Sequence, residues 1–515
     1  MTDSSFWASE MPFIDLLAKN DHEQNRSTMV ECFDGHFSRS EILLYRNALA
    51  HFLSREHGIS AGDRIILTES CSRYYLVALT AIAAIGAIAV PVGAAWQHSA
   101  LKHIERSTTP SLAISFIDSP QLPLDTPEIL ISEKLFVEIH LIDDLPQNNF
   151  LDRITASSVC MILFTTGSTG TPKGVAISYQ NHLAALTSIS KYLEYPHGSR
   201  ILLTSSPAFD YGLYQYALAI YSGSTVVVAK RPAFPIDLLE IVATKNIEIL
   251  PLVPSQWREI AQKANKSQIT LQNIGTATST GSLIDSTLMN EILRLVPNAK
   301  FFSMYGLTEC KRVSYLSPEL AQKKPTSVGK PMTNCVVELV DEQGKEVFPG
   351  SIGELIVRGP HVASGYWGLM EDYESSFHRD STTGEITLRT GDFFKQDSEG
   401  DLYFCGRRDD LVKINDIRIS LAEVDRTLLQ LPFVLDAISY ICIRNGRAVL
   451  SAQIVANSDN SHIQIQRELM KRGVISHLIP KDIVFVTAIR KNANGKPIRP
   501  SSDWSNSHSN DAQVQ

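Results

Sequence analysis

The chain has 515 residues and a mass of 57.0 kDa, with 44% apolar and 20% charged residues, enough for about three structural units at roughly 150 residues each. A net charge of −8 offers no overall field for nucleic acid or an anionic membrane, so neither partner is expected. Cys32, Cys71, Cys160, Cys310, Cys335, Cys405 and Cys442 stand far apart without a CxxC pair, which signals neither a zinc site nor a disulfide framework and suits a reducing, cytoplasmic setting. The start, MTDSSFWASE, lacks the basic and apolar regions of a signal peptide.

The first notable segment is Tyr75–Trp96, which holds no charged residue and is long enough to span a bilayer, for which about 20 residues suffice. It is rich in Ala, Gly and Ile, and Gly86 and Pro91 interrupt it. It reads as a buried helix ending near Gly86 followed by a buried strand. The stretch Phe164–Val175, FTTGSTGTPKGV, comes next. Its small and hydroxylated residues let backbone NH groups, hydroxyls and Lys173 converge on a polyphosphate. It is not a Walker A loop, because Pro172 stands where that pattern needs Gly.

From about Arg200 to Gly306, β-branched runs alternate with helical stretches. Strands are expected near Ile201–Leu203, Thr225–Ala229, Ile247–Leu252, Ile274–Thr278 and Lys300–Met304, with a helix over Ile236–Thr244 opened by Pro235. This is the pattern of a parallel sheet with covering helices, whose ligands bind beyond the carboxyl ends of the strands. After Pro325 short strands and turns, Val336–Val340 and Glu354–Val357 among them, predict an antiparallel β unit. The charged RRDDLVK after Gly406 opens a small α+β segment ending near Arg499, and Ser501–Gln515 reads as a disordered tail.

The FTTGSTGTPKG stretch resembles the phosphate loop of the adenylate-forming (AMP-binding) superfamily: acyl-CoA synthetases, the adenylation domains of nonribosomal peptide synthetases and luciferase. The resemblance continues in register through Gly281-Ser282-Leu283, Tyr305-Gly306-Leu307-Thr308-Glu309, Gly353-Glu354-Leu355, Gly365-Tyr366-Trp367, Thr390-Gly391-Asp392, Gly406-Arg407-Arg408-Asp409-Asp410 and Asn494-Gly495-Lys496. It implies an α/β fold. A large N-terminal domain of doubly wound sheets plus a small β-barrel-like unit would occupy residues 1–407, and a small mobile α+β C-terminal domain residues 408–500, before the tail at 501–515.

The implied reaction joins a carboxylate to the α-phosphate of ATP, giving an acyl adenylate and pyrophosphate, so the site needs positive charge and fixed geometry more than a general base. By resemblance, Thr165, Thr166, Gly167, Ser168, Thr169, Gly170 and Lys173 hold phosphates. Gly281 and Tyr305 frame the adenine, Asp392 and Arg407 meet the ribose, Thr308 contacts phosphate, and Glu309 takes the Mg2+ that accompanies ATP. Lys496 bridges carboxylate and α-phosphate. Asp409 is the hinge, about which the small domain turns to bring Lys413 to a thiol acceptor, either coenzyme A or the phosphopantetheine of a carrier protein acting in trans. From the residues alone, Glu309 is a solvated loop acid, Asp392 a turn residue before a strand at Phe393–Lys395, and Lys496 a hairpin tip.

Two departures bear on the chemistry. Lys413-Ile414-Asn415-Asp416 ends in Asp where the family has Gly, which questions the thiol step because only Gly approaches a partner backbone freely. Pro207-Ala208-Phe209-Asp210-Tyr211-Gly212 resembles the segment of amino-acid-activating members, whose Asp pairs with the substrate ammonium. Asp210 reads equally as the N-cap of a helix at Tyr214–Ser222. The substrate pocket implied by alignment includes Phe209, Asp210, Tyr211, Tyr214, Thr280, Met304 and Arg312, with Pro251, Thr278 and Val313 beside them. Lys311-Arg312 reads as a solvated turn, or as a pair that meets a second anion. The function expected is acid–thiol ligation by way of an adenylate, on a small carboxylic acid that an amino acid would satisfy. An amine-accepting amide synthetase and a non-catalytic nucleotide or acid sensor are the alternatives.

Overall fold

Short strands that are apolar on both faces must be covered on both sides, and the computed structural model supplies that cover with helices between and outside two sheets. It describes residues 27–93, 96–139, 154–166, 171–230, 234–369, 376–408, 411–414, 417–444, 447–457, 461–490 and 497–500.

Among the described residues the larger sheet has nine strands. Their order is Lys330–Pro331, Ser314–Leu316, Lys300–Tyr305, Thr276–Ser279, Ile249–Pro251, Arg200–Leu203, Thr225–Val228, Thr28–Cys32 and Gly35–Ser38. Pairing is parallel from Lys300–Tyr305 through Thr28–Cys32 and antiparallel at the two edges. The five strands expected between Arg200 and Gly306 are all present, and Pro235 opens the helix Pro235–Thr244. That helix, with Pro254–Ser267 and Ser286–Leu295, covers the outer face, where Leu202, Val227, Leu250, Ala277 and Phe301 pack around buried Trp257.

The second sheet runs Gly365–Tyr366, Pro172–Ser178, Val159–Thr166, Ile88–Val92, Arg64–Thr68, Leu112–Phe116, Glu128–Ile131. The uncharged run lies in it as the helix Tyr74–Ala84, Gly86 at φ 72, and the wholly buried strand Ile88–Val92. No helix among the described residues is long and apolar enough to cross a membrane. The helices Arg39–Glu56, Tyr74–Ala84, Tyr179–Leu193 and Asp210–Ser222 share one core with the inner faces of both sheets. The Tyr75 ring stacks on Tyr216 at 5.9 Å, and its hydroxyl donates to the Pro207 carbonyl at 3.2 Å. This ties the first half of the chain to the segment that carries Asp210.

A third, antiparallel sheet joins Val336–Val340, Ile352–Arg358, Ile386–Gln396, Phe377–Arg379 and Leu402–Arg407. Beyond it Ile419, Leu421, Val424, Leu428, Leu450, Ile454 and Ile465 build a separate small core. That part meets the strand Leu402–Arg407 through Ser420 Oγ, which donates to the Cys405 carbonyl at 2.5 Å, and Arg426 Nη2, which donates to that of Phe404 at 3.0 Å.

Candidate active site

Strand Val159–Thr166 turns back into Pro172–Ser178, with Thr165 opposite Lys173 and Thr166 opposite Pro172. The capping box of the next helix fixes what lies beside it. Asn181 closes the cap with Ser178, and its Nδ2 donates to the carbonyls of Pro360 at 2.9 Å and Val362 at 2.7 Å. The chain then runs antiparallel to the lysine strand, with Tyr366 opposite Val175 and Trp367 N donating to Gly174 O at 2.7 Å. The Lys173 ammonium therefore lies 5.2 Å from the Tyr366 ring centroid. The Tyr366 hydroxyl donates to Glu309 Oε1 at 3.0 Å. Burial raises the Glu309 carboxyl above its usual range, with that hydroxyl opposing the shift. Thr308 stands beside it in the loop after Lys300–Tyr305.

A second cluster joins the larger sheet to the third. Tyr305 ends its strand and donates from its hydroxyl to Asp392 Oδ2 at 2.7 Å, while Arg407 Nε lies 3.0 Å from Asp392 Oδ1. Asp392 is not a turn residue. It lies inside the long strand Ile386–Gln396, directly opposite Arg407, and is buried. The Tyr305 ring meets Phe394 edge-on at 4.7 Å, and burial beside the Asp392 carboxylate pushes its phenol well up. Gly281 lies at the exposed end of Thr276–Ser279. A Cβ there would meet only Val253, at 4.0 Å, so the space beside it is open.

The third cluster departs from expectation. Asp210 does not cap its helix, which spans Asp210–Ser222 with Phe209 at the N-cap and no side-chain cap bond. Its carboxylate instead accepts from Lys311 Nζ at 2.6 Å and Arg312 Nη1 at 3.0 Å. Lys311-Arg312 is not a solvated turn: the two residues are 1% and 5% exposed. Gly306 permits this, because a Cβ there would overlap the Lys311 carbonyl oxygen. Lys311 itself takes φ 61, a left-handed conformation that costs a non-glycine residue about 1–2 kcal/mol. Tyr211 shares a 2.7 Å hydrogen bond with Thr278 and lies under the Arg312 guanidinium, 5.2 Å from its ring. The Tyr214 hydroxyl donates to the His182 carbonyl at 2.8 Å, and that of Tyr192 to the Met304 sulfur at 3.0 Å. Thr280 is buried just past the strand Thr276–Ser279. Phe209 turns aside to Trp96, with ring centroids 6.5 Å apart.

Lys413 lies in the strand Leu411–Ile414. Gly167, Ser168, Thr169, Gly170, Asp409, Asp416, Lys496 and the tail 501–515 lie outside the described residues. Tyr366 is a functional-looking residue to which sequence reasoning gave no role, and Lys311-Arg312 meets an anion inside the protein, the Asp210 carboxylate. Tyr366 stands within the quoted Gly365-Tyr366-Trp367, but nothing in the sequence marks its reach to Glu309.

These clusters gather at the carboxyl ends of the parallel strands, where α/β sheets characteristically bind ligands. Residues 17–367 match the model of the AMP-binding enzyme family, and the chain belongs to that family. It is 29% identical over 479 residues to enterobactin synthase component F of Shigella flexneri, covering 87% of this chain and 36% of that one. It is 24% identical over 485 residues to tyrocidine synthase 3 of Brevibacillus parabrevis, covering 93% and 7%. The chain thus spans a minor part of each of these relatives. Its fold matches that of the o-succinylbenzoate CoA synthetase of Bacillus subtilis, solved with its acyl-adenylate intermediate, at a TM-score of 0.83 and 21% identity over 95% of this chain and 97% of the other.

Proposed function

We propose that the chain activates a small carboxylic acid with ATP, forming an acyl adenylate and releasing pyrophosphate, and then passes the acyl group to a thiol of coenzyme A or of a carrier protein's phosphopantetheine. The observation that carries this reading is the convergence of three clusters on the loop from Tyr305 to Val313: Glu309–Tyr366–Lys173, Tyr305–Asp392–Arg407 and Asp210–Lys311–Arg312.

Charge distribution supports the chemistry. Asp392 is buried and acceptor-rich, which suits ribose hydroxyls, and Arg407 beside it brings a permanent positive charge toward phosphate. The open space at Gly281 suits a flat base. Among the described residues no three His, Cys, Asp or Glu side chains cluster as a metal cage. A Mg2+ held by Glu309 together with phosphate oxygens fits that donor set, since Mg2+ is commonly bound by one or two carboxylates and the substrate's own phosphates. When bound, the ion would neutralise charge on the phosphates. Lys173 approaches the same phosphates, and Lys496 supplies charge where the carboxylate oxygen joins the α-phosphorus and pyrophosphate leaves.

The domain boundary proposed is near Arg407, with residues 408–500 as a cap that turns about Asp409 and presents Lys413 for the thiol step. Two hydrogen bonds from Ser420 and Arg426 to the strand Leu402–Arg407 would have to break in that motion. A cytoplasmic setting belongs to the same reading. The test is acid-dependent ATP–pyrophosphate exchange across amino, aryl, fatty and dicarboxylic acids. Exchange with at least one class supports the reading, and ATP binding without exchange on any of them favours a sensor. Product analysis with coenzyme A, a loaded carrier and simple amines then separates thiol from amine transfer.

A further inference from the structure

The acid end of the site holds one more buried cation than anion. Lys311 and Arg312 both lie on the single carboxylate of Asp210, and their side chains are 2% and 6% exposed. His182, Cys160 and four tyrosines act on this trio and bring no countercharge. Burial pushes His182 down to about 3 and Cys160 up to about 12, and it raises Tyr192, Tyr195, Tyr211 and Tyr214 well above their usual ranges. The faces of Tyr214 and Tyr211 lie 5.4 and 5.2 Å from the two cations. Such contacts contribute roughly 0.5–2 kcal/mol each but supply no countercharge. A buried charge that lacks its full countercharge is costly, and this excess sits on side chains only 2% and 6% exposed.

Position links the excess charge to the acid. The dyad packs against Gly306, Val313 N donates to Tyr305 O at 2.9 Å, and Arg312 also donates to the Lys311 carbonyl at 2.7 Å. The cations are thus fixed to the loop that carries Tyr305, Thr308 and Glu309, beside the strand ends at Thr278 and Met304. An ammonium-bearing acid would meet an Asp210 already shared by two cations and a local field of the wrong sign.

We propose that the acid activated here carries a second carboxylate, which completes the Lys311–Arg312–Asp210 cluster; this inference rests on the adenylation reading above. The second carboxylate takes hydrogen bonds from Lys311 Nζ and the Arg312 fork, while the first is left to react. Charge-assisted bonds of this kind contribute about 1.5–3 kcal/mol, a preference of tenfold or more over a neutral isostere.

The test uses the full chain and inert acyl-sulfamoyl adenosines whose acyl tails of two to four methylenes end in a carboxylate, its carboxamide or an ammonium, with affinities measured by calorimetry. The carboxylate tail is expected to bind at least about tenfold tighter than the carboxamide, with the ammonium weakest. Lys311→Met should shrink that preference toward unity. Asp210→Asn, which keeps both cations, should keep or widen it, and it carries the test if the first variant does not fold. Binding of all three tails with equal affinity, or tightest binding of the ammonium, overturns this inference and leaves the adenylation reading standing. Failure of every analogue to bind overturns both.

Discussion

The proposed nucleotide side and the proposed acid side are built on opposite plans. On the proposed nucleotide side each carboxylate has a hydroxyl or cation within bonding distance: Asp392 with Tyr305 and Arg407, Glu309 with Tyr366. On the acid side a single carboxylate is shared by two buried cations. On the proposed reading the first arrangement serves ATP, a ligand that does not vary, so its residues fall in short motifs. The second is set by the identity of two loop residues, and its meaning lies in a charge excess that no short motif encodes.

The largest expected effect breaks the nucleotide side at its reactive end. Lys496→Ala should lower pyrophosphate exchange by about 100- to 1000-fold, the range for a group that stabilises developing charge, while calorimetry shows ATP binding retained. Next comes Asp392→Asn. Losing a charged acceptor for Tyr305 and for the ribose should raise the KM for ATP by about 10- to 100-fold, with little change in the KM for acid. Gly306→Ala sharpens the contrast from the other side. Its Cβ would displace the Lys311 carbonyl, which should cost about 1–3 kcal/mol in denaturant melts and raise the KM for acid more than that for ATP.

A pH dependence tests the fold rather than the site. Burial holds His182 at about 3 and His361 at about 4, below the ordinary value near 6.5. The unfolded chain therefore binds more protons, and stability is full above about pH 6.5. Each histidine removes about 1.4 kcal/mol per pH unit as pH falls toward its folded value. His361→Leu should flatten the melting-temperature profile between pH 6.5 and 4.5 by one proton's worth of slope. An unchanged profile would mean that His361 is protonated in the fold.

Much of the fold was legible because burial on both faces leaves uninterrupted β-branched runs, and Pro235 and Gly86 punctuate the chain where the elements begin and end. Asp392 misled because Thr-Gly-Asp carries turn composition, whereas its ladder partner Arg407 lies on the next strand. The solvated-turn reading of Lys311-Arg312 failed for a related reason. Two adjacent cations suit a solvated turn unless a carboxylate waits in the interior, and that carboxylate is about a hundred positions away in sequence. Asp210 was weighed as a helix cap or an ammonium ligand, and its pairing with two cations belongs to neither. Local pattern reports backbone and periodicity, while charge pairing across the core is fixed by tertiary contact.

The central claim is that a carboxylate oxygen of the acid bonds to the α-phosphorus of ATP. The most direct measurement uses an acid labelled with 18O in its reacting carboxylate, supplied with ATP and the acceptor, and mass analysis of the nucleotide product. The account predicts AMP carrying one 18O, because the bridging oxygen stays with phosphorus when the acyl group leaves. Product formation with unlabelled AMP, or with the label in phosphate alongside ADP, would contradict it.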